Sequence, residues 1–276
     1  MPTFDTPGSV SLQIKLPSGR VVVTTVDEPK TTVEVVPIGR RGHDAVEEIE
    51  ITMDERPGHH FVRIEQKDKF RWGPIQISWG GDFECRITCP QGTELDLSGA
   101  STDVRVEGDL GEVSARTASG DIRLQNVSGP LRVKTASGDV FVGTVAGEAT
   151  VATVSGDVSV ERIETALGAR AVSGDLTIGT VAGELVVSTT SGDVDVKAVV
   201  SGDVRVQTVS GDVRVAISRG TRVWIDAASV SGDLESELGL QDVQAADDAA
   251  GAVVPLRVKT VSGDVAVVRA ASAVSA

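Results

Sequence analysis

Aliphatic and polar residues alternate at period two along most of this chain, in short runs punctuated by glycine, which is the pattern of half-buried strands. In the first 90 residues the runs SLQIKL, RVVVTTVD, TTVEVV, EEIEITMDE, HHFVRIEQ, PIQISW and FECRITC read as strands of irregular spacing. Beyond residue 100 the alternation locks to a repeat. SGD starts at Ser119, Ser137, Ser155, Ser173, Ser191, Ser201, Ser210, Ser231 and Ser262. The first five starts are 18 residues apart, Ser191 to Ser210 is 19, and the last two intervals are 21 and 31. The residue after each Asp is aliphatic in all nine copies, and two places on it is aliphatic in eight, Ser236 being the exception.

One full unit, SGDVFVGTVAGEATVATV, can be read by parity. Val140 and Val142 face one way, the chain bends at Gly143 and Thr144, and Val145 returns inward. It bends again at Ala146 and Gly147, after which Ala149, Val151 and Thr153 point in. Each unit of about 18 residues is then one rung of a coil of strands. Stacked rungs lie about 4.8 Å apart, so like side chains form ladders. Gly in SGD permits a corner conformation that costs other residues free energy, and Asp is suited to accept backbone N–H groups at the bend. Ser of SGD and the Thr two places before it (Thr117, Thr135, Thr153, Thr189, Thr208, Thr260) share the inward parity and are expected to form hydroxyl ladders.

The predicted fold is all-β: a compact single-stranded β-solenoid with about 18 residues per rung, right-handed on the general preference of parallel crossovers. Residues 1–90 form irregular N-terminal coils or a cap, and PSGRVVVTTV already holds a degenerate rung, with Ser18, Gly19, Val21, Val23 and Val26 in the places of the later SGDV unit. Residues 91–268 form the repeat, starting from STDVRVEGDLGEVSARTA, with an acidic loop near 236–255. LRVKTVSGDVAVV supplies the final strands, and residues 269–276 are a frayed tail.

Composition narrows the chemistry. Of five Phe and three Trp only Phe141 and Trp224 lie beyond Phe83, and there is no Tyr, so the core must be Val-rich. A net charge of −14 argues against nucleic acid as a partner. The start MPTFDTPGSV lacks a basic and an apolar signal region, and no apolar run is long enough for a span, so the chain is expected to be soluble and cytoplasmic, with a surface location left open.

No catalytic, cofactor-binding or metal-binding residues are assigned. Cys85 and Cys89 are too far apart along a strand for a disulfide and read as core positions. Asp121, Asp139, Asp157 and Asp175 form a carboxylate column, either a calcium ladder or, preferred here, a set of turn caps facing solvent. Histidine is confined to His43, His59 and His60, the last two on opposite faces of an extended segment, and these read as a solvated loop or strand end. The Thr and Ser parity gives no flat outer lattice for ice. A β-helix polysaccharide enzyme would need a buried carboxylate that a surface Asp column does not provide. KDKFRWGPIQISW, with Trp72 and Trp79, reads as a hairpin closing the end of the core rather than a sugar or membrane contact.

The SGDVxV units, the joints VKTASGD and VQTVSGD, the SVSGDLESELG-to-VKTVSGDV ending and the opening SLQIKLPSGRVVVTTVD resemble the bacterial β-strand-repeat family called "putative adhesin", over most of the chain. The resemblance implies a β-solenoid of no assigned catalytic residues and a link to the cell envelope or its stress responses. The expected role is a non-catalytic adhesin-like binding or scaffold module, with a protein or an envelope component as partner. Two alternatives stand beside it: a polymerising intracellular scaffold, assembled end to end as bactofilins are, and a carbohydrate-active β-helix enzyme.

Overall fold

The structure, a computed structural model, describes residues 1–38, 43, 46–66, 83–238 and 253–271. It divides into two compact units, Met1–Phe141 and Val142–Ala276. Both are all-β and solenoidal.

Unit 1 holds β1 (Thr3–Asp5), β2 (Ser9–Val26), β3 (Lys30–Pro37), β4 (Ile49–Arg56), β5 (His59–Gln66), β6 (Phe83–Pro90), β7 (Thr93–Ser119), β8 (Ile122–Val127) and β9 (Leu131–Ser137), and ends within β10 (Val140–Val145). β2 turns a corner at Ser18 and Gly19 and forms the degenerate coil, since Ser18, Gly19 and Val21 pair in register with Ser101, Thr102 and Val104 of β7. Space and sequence disagree here. β2 pairs in parallel with β7 on one side and with β5 and β6 on the other, so the coil that comes first in the chain lies inside the stack. Outside it, β4 and β3 run antiparallel to β5 and β6 and cover that end. The regular coils follow, Val104 pairing with Ile122 and Val113 with Leu131, an 18-residue offset on both faces.

Unit 2 continues with β11 (Glu148–Ala152), β12 (Val158–Ile163), β13 (Ala166–Ser173), β14 (Leu176–Val181), β15 (Glu184–Ser191), β16 (Val194–Val199), β17 (Val204–Gln207), β18 (Val213–Ile217), β19 (Arg222–Ser231), β20 (Leu234–Ser236), β21 (Val253–Ser262) and β22 (Val265–Arg269). Even-numbered strands stack on one face (Val158 on Leu176 on Val194) and odd-numbered strands on the other (Leu167 on Leu185 on Val204). The two faces enclose a thin apolar core. Val158, Val160 and Ile163 from one meet Leu167 and Ala169 from the other, all fully buried. Each such side chain contributes roughly 1.5–3 kcal/mol for the larger aliphatics, so the stack is stabilised coil by coil rather than at a centre.

The chain's last strands are not the last in space. β21 pairs with β17 on one side and β19 on the other, and β22 lies between β18 and β20. The segment LRVKTVSGDVAVV supplies the final strands in the chain, but in space it slots in beneath the coil that precedes it in sequence.

The inward hydroxyl ladder is half as expected. The Thr column is buried, but Ser of each SGD is exposed, because the corner begins at that residue and turns its side chain outward. Thr117, Thr189 and Thr208 donate to the carbonyl two residues on, at 3.1–3.3 Å. The hydroxyls of Thr135, Thr153 and Thr260 are buried without a hydrogen-bond partner among the described residues. Ala171 occupies the same column, so the fold needs no hydroxyl there. Thr153→Val, which keeps the shape and removes an unsatisfied group, is therefore expected to stabilise the protein by about 1 kcal/mol in urea denaturation. Thr189→Val is the neutral comparison; equal effects would refute the distinction.

Candidate functional site

Three constellations carry polar chemistry, and the first is the Asp column. In unit 2 the carboxylates run in the spatial order Asp157, Asp175, Asp193, Asp212, Asp264, Asp233. Each Oδ1 accepts the backbone N–H of the next Asp, at 2.8–2.9 Å. In unit 1 Asp103, Asp121 and Asp139 repeat the scheme at 3.1–3.2 Å. The carboxylates are caps, as preferred from the sequence, but each caps its neighbour's corner rather than its own. One lone-pair oxygen per residue is thereby committed to the backbone. No group of three or more His, Cys, Asp or Glu converges to hold a metal ion among the described residues.

The second constellation joins three strands of unit 1. Ser11 on β2 stands between His59 on β5 and Glu94 on β7, with Oγ 2.7 Å from His59 Nε2 and 2.5 Å from Glu94 Oε2. The single hydroxyl proton goes to the carboxylate, so the imidazole Nε2–H donates to the serine oxygen. His59 therefore faces a lone pair and is not placed to take the serine proton as a base. Its neighbour His60 is not solvated as expected: it is the second residue of β5 and is buried, 3% exposed, with Nε2 donating to the Pro7 carbonyl at 3.1 Å. His43 is exposed. Cys85 and Cys89 are free and buried on one face of β6, as the sequence indicates, and burial pushes their thiols up to about 12 and about 11. Neither supplies a thiolate near neutral pH.

The third lies on the outer face of the odd-numbered strands of unit 2. Trp224 on β19 is 52% exposed, and the guanidinium of Arg257 on β21 sits 5.5 Å from its ring centroid. Arg257 also reaches Asp203 at 3.4 Å. Asp203 pairs with Arg205 at 2.7 Å, and Arg205 with Glu184 at 3.6 Å. Lys259 and Asp226 flank the group on the same outward parity. Beside it runs a set of aliphatics, each just before a corner serine: Val154, Val172, Val209 and Val261 are half-exposed, and Val230 is almost fully so. The result is a flat patch with an aromatic plate, bidentate donors and carboxylate acceptors, all on rigid strands. The backbone of β17 and β21 in this patch is hydrogen-bonded to a neighbouring coil on both sides, and that of β19 on the β21 side.

Sequence reasoning did not pick out Trp224 as a site residue, although it is the one Trp beyond residue 90 and has outward parity in RVWID. The segment KDKFRWGPIQISW with Trp72 and Trp79 lies outside the described residues, as do residues 239–252 of the acidic loop and 272–276 of the tail. Among the described residues no helix is long and apolar enough to cross a membrane.

The family model described as Toastrack DUF4097 matches residues 10–268. No curated protein matches the chain. Among solved structures, the chain is similar to a "putative adhesin" from Bacteroides fragilis NCTC 9343, at 16% identity and a TM-score of 0.40, covering 97% of this chain and 95% of that one. It is also similar to a "putative lipid binding protein" from Parabacteroides distasonis ATCC 8503, at 13% identity and a TM-score of 0.43, covering 97% and 96%. A "putative cell adhesion protein" from Clostridium sporogenes ATCC 15579 is similar at 11% identity and a TM-score of 0.23, covering 96% and 94%.

Proposed function

Because this chain belongs to the Toastrack DUF4097 family, we propose that it is a non-catalytic, adhesin-like binding module whose outer face in unit 2 takes a saccharide chain. The observation that carries this reading is Trp224, half exposed on a flat sheet beside Arg257, Arg205 and Asp203. A sugar ring has an apolar C–H face that stacks on an indole, and hydroxyls that match the donors of Arg and the acceptors of Asp. Trp and Arg are also the side chains that most often dominate binding energy at a surface. The absence of catalysis is supported by the polar groups of the other two constellations. The Asp column is spent on backbone N–H groups, and Ser11 directs its proton to Glu94 rather than to an imidazole.

The reading is tested by titrating the protein with a panel of soluble bacterial envelope polysaccharides and following heat or tryptophan fluorescence. Trp224→Ala is expected to weaken the best binder by roughly thirtyfold, the loss of one anchoring contact of about 2 kcal/mol. Binding that survives Trp224→Ala unchanged would move the site elsewhere, and a panel with no binder at all would remove saccharide as the ligand class.

A further inference from the structure

β19 is the outermost strand of its face. It pairs along its length with β21, from Arg222 opposite Val253 to Ser231 opposite Ser262, and has no strand on its other side among the described residues. Among the described residues no strand covers the core beneath it. Val223, Ile225 and Ala227 are only half-buried, while their partners one coil in, Val254, Leu256 and Val258, are at most 2% exposed. Exposed edges are usually blunted by proline, lysine or a covering strand, because their unpaired N–H and C=O groups template further pairing. β19 contains no Pro and no Lys. Unit 1 handles its own end differently: the antiparallel β4, whose exposed positions include Asp54, Glu55 and Arg56, covers β5.

The sequence of this edge complements itself. If a second β19 is laid antiparallel with Trp224 opposite Trp224, then Arg222 of each copy stands opposite Asp226 of the other, and Val223 opposite Ile225. Arg222, Trp224 and Asp226 share the outward parity, so two ion pairs would flank a Trp–Trp pair on the outer face. The Val–Ile pairs would close over the open end of the core. Directly opposed side chains in an antiparallel pair lie about 5 Å apart, near enough for both kinds of contact. Repeating the same contact about a two-fold axis leaves a closed dimer rather than a growing fibre.

We propose that β19 is a dimerisation edge, to which a second copy of this chain adds its own β19 antiparallel about Trp224. The two outer faces then form one continuous sheet with the Trp224 plates side by side, which doubles the patch assigned to saccharide. That last consequence rests on the binding reading, whereas the dimer itself does not.

Sedimentation equilibrium of the full chain without ligand separates the two. Wild type is expected to reach twice the 28.6 kDa chain mass with rising concentration. Asp226→Arg places like charges opposite each other twice and is expected to weaken dimerisation by about tenfold or more. The charge-swapped double variant Arg222→Asp with Asp226→Arg is expected to restore it. Circular dichroism checks that each variant is folded. A wild type that stays monomeric, an Asp226→Arg protein that dimerises as well as wild type, or a folded double variant that stays monomeric each overturns the proposal, whatever the saccharide titration shows.

Discussion

Gly174→Ala is expected to destabilise the protein by roughly 3–5 kcal/mol, while Gly168→Ala leaves stability unchanged or raises it by a few tenths. Gly174 sits at the SGD corner with φ +127°, a conformation that side chains strain to adopt. A Cβ there would lie 2.3 Å from the carbonyl oxygen of Gly156 and 2.8 Å from its carbon, in the coil beneath. The coil cannot easily shift to relieve this, because the same contact recurs above: a Cβ on Gly192 would meet the Gly174 oxygen at 2.1 Å. Gly168 lies on β13 without positive φ, and the nearest atom to its added Cβ is the Ala149 oxygen at 4.0 Å. Urea denaturation of the two variants measures the difference. Similar midpoints would show that corner glycine is a composition habit and not a packing requirement.

Asp175→Ala is expected to cost about 1–2 kcal/mol, because it strips the acceptor from the Asp193 N–H, bonded at 2.9 Å, and leaves a corner amide without its partner. Asp175→Asn keeps an oxygen in that position and removes one charge from a column of like charges, so its cost is expected to be near zero. The pair distinguishes a backbone cap from a cation ladder. If the column exists to cap, wild-type melting is the same with calcium and with a chelator, and Asn substitutes for Asp. Calcium-dependent melting together with an Asn variant as damaged as the Ala variant would establish a cation role instead.

The Trp224 patch was only partly legible in the chain. RVWID places Trp224 at an outward position by simple alternation. Its guanidinium neighbour, Arg257, is 33 residues further on and arrives only because β21 pairs alongside β19. The sixth SGD raised a similar difficulty. Ser201 interrupts the even spacing, and the structure explains why: it lies at the opposite corner, between β16 and β17. There Gly202 has φ +99° and packs on Gly183, and the Ser201 hydroxyl donates to the Ala182 carbonyl at 2.8 Å. One tetrapeptide thus serves two corners, but only the first has a positive-φ glycine in coil after coil, since Gly183 and Thr165 hold the place of Gly202 in the coils below it without positive φ.

What the sequence determined by itself is the contents of a coil. The 18-residue period, the inward Val, Ile and Leu positions, the corner glycine and the degenerate coil at Ser18 and Gly19 all follow from alternation and spacing, which are local properties of a strand and its bend. What only the tertiary structure decided is which coil neighbours which. β2 lies inside its stack, and β21 and β22 slip between earlier and later strands. The reason is the repeat itself: coils with the same corner and the same Val-rich core offer each other nearly the same pairing energy. Their order is then set by long connections and open edges, which no local pattern records.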